Sequence, residues 1–312
     1  MEQYFINYAS LDQQRWMVSD KPRTDAFARA IAEVVKPGDF VIDVGAGTGV
    51  LSLLAAKAGA NRVIGVEQSE IANFAKELIL HNNFDSKIEI IQSNAFKLQL
   101  DEPADLIVSE WLGHMAYVEN MFRSVIHVRD AWLKPQGTMI PYSVDVMLAP
   151  IDDVEFYNEH GPGYWEKSNI YDIDFSCFTQ KELQMGHSSK MLIPDKFLLA
   201  KGKSIHHLNC IDAKPNDEWC LGSVEYEIER DGMINGFAGW FSSLLSPNVI
   251  LDTAPNCPRT HWEQTYFPFY PMEVKAGQII KLDYRMDEPY EDSRLMELAL
   301  RIGKKEINYI ID

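Results

Sequence analysis

Residues 41–49 read VIDVGAGTG, and the organisation of the N-terminal half follows from how that stretch is interpreted. FVIDVG (40–45) is a short, continuous apolar run, the pattern of a strand buried on both faces. Thr48 to Ala58 then has helical spacing, with Gly59 in the position that commonly ends a helix. Outward from this unit the same alternation repeats. RVIGVE (62–67), KIEIIQ (87–92) and ADLIVSE (104–110) read as strands, and Glu70 to His81 and Asn120 to Leu133 as helices. Strand–helix alternation implies right-handed crossovers and a parallel sheet. Two amphipathic stretches precede it, residues 4–17 and Thr24 to Val35, separated by Pro22.

After Pro141 the period changes from helical to alternating. SVEYEIER (223–230) and MINGFAGWF (233–241) flank Asp231-Gly232, a hairpin signal, and similar runs occupy 278–286 and 294–311. The expectation is α/β: a Rossmann-like domain over residues 1–141, then an antiparallel β-sandwich or barrel over 142–312. Phe156 to Phe178 interrupts the second half with many aromatics and no clear period.

Gly45, Gly47 and Gly49 lie between a strand and a helix, where glycine permits a sharp turn and close approach of a ligand to the helix N-terminus. A dinucleotide fingerprint needs glycine at position 50, which is Val50. Asp43 contributes a carboxylate suited to a cation, and Glu67 ends the next strand, where an acidic side chain accepts ribose hydroxyls. Together they fit S-adenosyl-L-methionine, which carries an ammonium, a sulfonium and a ribose. A glycine-rich turn with no ligand is the competing reading.

SEWLGHMAYVE (109–119) places Glu110 at the end of a strand, facing the crevice beyond the sheet's carboxyl edge, and Glu119 nine residues later. Gly113 allows the chain to turn back and bring the two together. Paired carboxylates repel unless a cation lies between them, and a guanidinium, with five fixed donors, matches both. Alternatively, Glu119 serves the N-terminus of the following helix.

With these motifs in place, the chain resembles the protein arginine N-methyltransferases almost end to end. YFINYASLDQQRWMVSDKPRT (4–24) is similar to the family's N-terminal helices, VIDVGAGTG to its cofactor loop, SEWLGHMAYVENM to its double-glutamate loop and THWEQT (260–265) to its Thr-His-Trp loop. The resemblance implies a class I S-adenosylmethionine methyltransferase domain followed by a β-barrel, with a dimerisation arm at about 155–187. It implies that Glu110 and Glu119 grip the substrate guanidinium, that His261 oriented by Asp20 assists proton departure, and that Tyr8, Met17 and Trp262 wall the arginine slot. Arg23 then pairs with the cofactor carboxylate, Asp43 orients the cofactor loop, and Phe5, Met17 and Asn94 lie against the cofactor. Read without the resemblance, a lone His261 and the aromatic positions are equally ordinary core.

Met17 goes with asymmetric dimethylation in the family, so monomethyl and asymmetric dimethyl products are expected; His114 stands where tyrosine is usual in those enzymes. Gln14 replaces a common cofactor-contacting histidine, and Phe96 replaces a glutamate that accepts the adenine amine. The chain reads as a catalytic core without accessory modules, forming a homodimer. Two other readings remain: methylation of free arginine or a small guanidino metabolite or peptide, and a non-catalytic partner subunit.

Bulk properties bound the same picture. The 312 residues are 46% hydrophobic, enough for about two domains with proper cores. No apolar run reaches the ~18 residues of a membrane span, and the N-terminus lacks the pattern of a signal peptide. Cys177, Cys210, Cys220 and Cys257 are widely spaced, which argues against a zinc site or a disulfide framework and for a cytoplasmic protein, or a nuclear one if the source is eukaryotic. With 46 acidic side chains against 29 Lys plus Arg, the net charge of −17 disfavours phosphate-rich partners and nucleic acid. It suits basic, Arg-Gly-rich substrates, although acidic excess is also common in proteins with no such partner.

Overall fold

The computed structural model describes residues 10–167, 169–290 and 293–312; Phe5 and Tyr8 lie outside them. Helix α1 (Leu11–Ser19) is capped by Ser10, and Asp20 then caps α2 (Lys21–Val34) through the Arg23 amide. Pro22 therefore lies inside the first turn of α2, where its missing N–H costs nothing, and the break falls one to two residues earlier than its position suggests. A five-stranded parallel sheet follows in the order β3-β2-β1-β4-β5. Its strands are β1 (Phe40–Val44), β2 (Arg62–Glu67), β3 (Ile88–Gln92), β4 (Ala104–Val108) and β5 (Leu133–Ile140). Helices α3 (Val50–Ala58), α4 (Ile71–His81) and α5 (Phe122–Trp132) make the crossovers. Burial of all five β1 residues explains its unbroken apolar run.

Strand β5 begins where the sequence reading ends a helix at Leu133, and it contains the turn-forming stretch Lys134-Pro135-Gln136-Gly137. A register shift opposite Ala104–Leu106 accommodates it at the sheet edge, where proline is tolerated.

Antiparallel structure begins at β6 (Ser143–Ile151). Strands β6, β9 (Ser189–Met191), β10 (Lys203–Asn209), β12 (Gly232–Ser246) and β14 (Gln264–Val274) run in the order β10-β6-β12-β14-β9, with β13 (Val249–Asp252) paired to β12. A second sheet has the order β11-β15-β16-β17, from Cys220–Glu227, Ile279–Asp287, Met296–Ile302 and Lys305–Ile311. The sheets share one core that includes Tyr226, Phe237, Phe241, Phe267, Leu282, Leu298 and Tyr309. Hydroxyls tie them together: Tyr309 donates to the Pro268 carbonyl at 2.6 Å and Tyr226 to that of Leu148 at 2.8 Å. This is the barrel domain.

The Asp231-Gly232 hairpin is corrected. β11 pairs with β15 and β12 with β6 and β14, so the flanking strands belong to different sheets. Asp231 instead closes against the next connection, accepting from the Ala276 amide at 2.9 Å and from Lys275.

The aperiodic aromatic segment resolves into α6 (Val154–His160), α7 (Tyr164–Lys167), a two-stranded ribbon of β7 (Asn169–Ile170) and β8 (Ile173–Asp174), and α8 (Cys177–Met185). It projects large apolar side chains to solvent: Tyr171 is 90% exposed, and Ile173, Phe178 and Met185 are also exposed. Among the described residues no helix is long and apolar enough to cross a membrane, and all four cysteines are free thiols.

Candidate active site

The glycine loop leaves β1 and turns through three left-handed residues, Gly45 (φ 74°), Gly47 (φ 54°) and Gly49 (φ 79°), before α3 begins. A side chain at Gly45 would also press on the Met121 methyl. Glu67, at the end of β2 and 5% exposed, accepts from the Gly47 amide at 3.0 Å and the Ser69 amide at 2.8 Å, which fixes both the loop and the carboxylate. Asp43 is fully buried beneath the loop. One of its oxygens accepts from Ser52 at 2.7 Å, and the other has no hydrogen-bond partner. Burial, with the nearby Glu67 charge, pushes its pKa up to about 7 against the pull of Ser52 and Arg23. A buried carboxylate with a free oxygen, left-handed glycines at a helix N-terminus and a strand-end glutamate form a donor set that fits a cationic ribonucleoside. Gln14 and Met17 of α1 close over this crevice, alongside Gly45, Gly47, Arg23 and Glu110.

Glu110 follows β4 and is tightly held. Arg23 donates to its Oε2 from Nη2 at 2.6 Å and from Nε at 3.0 Å, and the Leu112 amide donates to Oε1 at 3.2 Å. Arg23 thus lies in the crevice as expected, and in this structure its partner is Glu110; its third nitrogen donates to the Met17 carbonyl at 3.2 Å.

The loop then doubles back through Gly113, whose N–H donates to the Ala116 carbonyl at 2.9 Å. Gly113 has no room for a side chain, since a Cβ would fall 1.9 Å from the Val118 carbonyl oxygen. The turn brings Glu119 into one cavity with Glu110. That cavity, about 260 Å³, is lined also by Gln13, Trp16, Met17, His114, His261 and Trp262. It is smaller than the ~300–1,000 Å³ typical of drug-sized ligands and suits one side chain. Met17 and Glu110 line both this cavity and the glycine-loop crevice, so they form the wall between them.

His261 comes from the connection before β14, some 240 residues after Asp20, yet the two form a tight pair. Asp20 Oδ2 accepts from the His261 backbone N–H at 2.8 Å and lies 2.6 Å from its Nδ1. Burial raises the Asp20 pKa, but the hydrogen bonds from His261 and the Arg23 amide outweigh it and hold the carboxyl below its usual value. Trp262 is buried and donates from Nε1 to the Leu112 carbonyl at 2.8 Å, tying the barrel to the glutamate loop.

Asn94 lies further off, at the end of β3. Its amide is engaged, donating to Gln68 at 2.9 Å and accepting from the Phe96 amide at 2.9 Å. Phe96 is half exposed, its ring 5.0 Å from His127.

Sequence reasoning missed several participants. Trp16 stands at the cavity mouth, edge-on to His261 at 5.0 Å with Lys190 over its ring at 4.9 Å. The Glu119 amide donates to the Arg294 carbonyl at 2.7 Å and Asn120 to the Ser293 carbonyl at 2.9 Å, so the barrel holds the far end of the loop. The signal for Trp16 was its placement one residue before Met17; backbone acceptors carry no signal in side-chain identity.

A glycine-loop crevice on a parallel sheet, sharing a wall with a carboxylate-lined slot beneath a β domain, defines a class I S-adenosylmethionine methyltransferase. Residues 20–141 match the ribosomal protein L11 methyltransferase family, and residues 143–305 match the arginine methyltransferase oligomerization subdomain. The chain is 32% identical to the probable protein arginine N-methyltransferase 6 of Arabidopsis thaliana, over 98% of this chain and 80% of that one. It is 34% identical to the histone-arginine methyltransferase CARMER of Drosophila yakuba, over 89% of this chain and 54% of that longer one. In structure it is similar to the Trypanosoma brucei PRMT1 enzyme-prozyme heterotetrameric complex with AdoHcy (TM-score 0.90, 27% identity, 98% and 99% of the two chains). It is also similar to protein arginine methyltransferase 10 of Arabidopsis thaliana in an open conformation (TM-score 0.87, 28% identity, 99% and 100%). The chain belongs to the protein arginine N-methyltransferase family, enzymes that transfer a methyl group from S-adenosylmethionine to arginine.

Proposed function

We propose that this chain methylates basic, Arg-Gly-rich protein segments, giving monomethyl and asymmetric dimethyl arginine, and that it acts as a homodimer. The observation that carries the reading is the shared wall: Glu110 and Met17 border both the glycine-loop crevice and the slot that Glu119 and His261 line. The cofactor, when bound, supplies an electrophilic methyl on a sulfonium. Asp43, Glu67, the glycine loop and Arg23 hold it, with Asn94 and the β3 end on the adenine side.

The protein's own contribution is charge placement and orientation. Arginine stays protonated at working pH, so prior deprotonation does not make it a nucleophile. Glu110 and Glu119 draw the guanidinium charge toward the nitrogens they touch and leave one terminal nitrogen richer in lone-pair character. Holding that nitrogen ~3–3.5 Å from the reacting carbon is the main catalytic device, supported by carboxylates fixed in place before reaction. His261, oriented by Asp20, is placed to receive the proton that leaves after transfer. Met17 and Trp262 wall the slot.

Residues 1–141 form the cofactor domain and 142–312 the substrate domain. The arm at 155–187 presents Tyr171, Ile173, Phe178 and Met185, and α4 exposes Phe74 and Leu78 on another face. Such apolar patches support pairing of two copies through the arm. The net charge of −17 supports basic protein partners over nucleic acid or anionic membrane, and the free thiols support a cytoplasmic setting.

Labelled S-adenosylmethionine incubated with an Arg-Gly peptide should yield labelled methylarginine, read by mass spectrometry. Glu110→Gln should lower the rate by about 100-fold or more. Because it weakens a buried ion pair, it should also lower the melting temperature, with recovery when cofactor is added. A variant with undiminished rate would overturn the mechanism.

A further inference from the structure

We propose that His114 is a further substrate-contacting residue, its imidazole accepting a hydrogen bond from the guanidinium held between Glu110 and Glu119. The inference rests on the arginine-methylation reading above and concerns a group which that mechanism does not use.

His114 lines the 260 Å³ cavity together with both glutamates, His261 and Trp262. It stands at the second position of the turn Gly113–Ala116, whose ends exchange hydrogen bonds of 2.9 and 3.1 Å. The His114 carbonyl also accepts from the Val118 amide at 3.2 Å. With Gly113 allowing no Cβ, the turn has little freedom, so the imidazole is presented to the slot by a fixed backbone.

Two groups already draw on Glu110. Arg23 donates twice to Oε2 and the Leu112 amide donates to Oε1. A guanidinium has five N–H donors, and Glu110, thus engaged, covers fewer of them than a free carboxylate would. A donor left without a partner inside the slot is costly, and a nearby acceptor removes that cost.

A neutral imidazole provides one N–H and one lone pair. A neutral ring whose N–H faces the Trp262 backbone keeps the lone pair of its other nitrogen for a ligand. Burial first, then the positive fields of Lys190 and His261, push the His114 pKa down to about 4. The ring therefore brings no cation into a slot built for one. The two imidazoles of the cavity divide the work: His261 is tied to Asp20 through Nδ1, and His114 acts as an uncharged acceptor.

Steady-state kinetics on an Arg-Gly peptide test this in the full chain. His114→Leu keeps bulk without an acceptor and should raise KM about tenfold, more than it lowers kcat, a change of the size expected for losing one hydrogen bond to a charged group. His114→Asn restores an acceptor and should return KM to within about threefold of wild type. S-adenosylhomocysteine affinity by calorimetry and the melting temperature should match wild type in both; if His114→Leu fails that check, His114→Ala replaces it. Wild-type KM in the acceptor-free variant, or equal impairment in the Leu and Asn variants, overturns the inference. A wild-type chain that transfers no methyl group overturns the proposed function instead.

Discussion

Asp43 makes the stability of this protein depend on pH in an unusual direction. Its carboxyl, ordinarily near 3.8, is pushed up to about 7 by complete burial, and one oxygen has no partner. An acid whose pKa is raised by folding binds more protons in the native than in the unfolded state between those values. Stability therefore falls as pH rises from about 4 to about 7, then levels off. The interval spans about three pH decades, at about 1.4 kcal/mol each, so the full effect is at most about 4 kcal/mol. Asp43→Asn retains an acceptor for Ser52 and places an amide on the unpartnered side, removing the titration without opening a cavity. Urea unfolding from pH 5 to 8.5 should show the wild type losing stability relative to this variant as pH rises. Subtracting the variant's curve cancels the other titrating groups. Saturating S-adenosylmethionine brings an ammonium and a sulfonium to the crevice and should flatten the difference. A wild-type-minus-variant difference that stays within about 0.5 kcal/mol across that range would refute the argument.

Two further perturbations separate positioning from folding. Asp20→Asn should lower the melting temperature only modestly, because asparagine also caps helices and keeps part of the bonding to Arg23 and His261. It should lower kcat by about 100-fold or more, because an amide cannot accept from both the Arg23 amide and the two His261 nitrogens. Asn120→Ala loses the bond to Ser293 and puts alanine at φ 50°, for a combined cost of about 2 kcal/mol. Asn120→Gly loses only the bond, so peptide KM measured for both variants should rise more in the alanine form.

What the sequence disclosed about this site followed one rule: chemistry that demands a residue type leaves a mark, and chemistry done by backbone does not. Gly113 is legible because a Cβ has no room there, Gly45, Gly47 and Gly49 because glycine is favoured in left-handed turns, and Glu67, Glu110, Glu119 and His261 because the proposed chemistry demands those side chains. The tether of Glu119 to Arg294 is an amide-to-carbonyl bond that any residue pair can make. Asp231-Gly232 misled because turn chemistry sets a local reversal, while strand partners are chosen by the whole sheet. β5 was hidden because its proline and glycine occupy an irregular edge. Asn94 was placed by its strand end, but its amide is engaged by Gln68 and Phe96.

The clamp is held from both domains, and that explains where the backbone is strained. Nine non-glycine residues with positive φ occur among the described residues. Met115, Ala116, Glu119 and Asn120 are four of them, and Glu263, next to Trp262, is a fifth. Each costs on the order of 1–3 kcal/mol, so such a loop persists only where its surroundings determine it. Glu110 is fixed from the cofactor domain by Arg23. Glu119 and Asn120 are fixed from the barrel by the Arg294 and Ser293 carbonyls, and Trp262 holds the middle through the Leu112 carbonyl. The distance between the two carboxylates is therefore set by how the domains pack, and neither domain alone specifies it. If, as proposed, a guanidinium lodges between them, it reads that packing directly, and arginine recognition is then coupled to the integrity of the interface between the two halves of the chain.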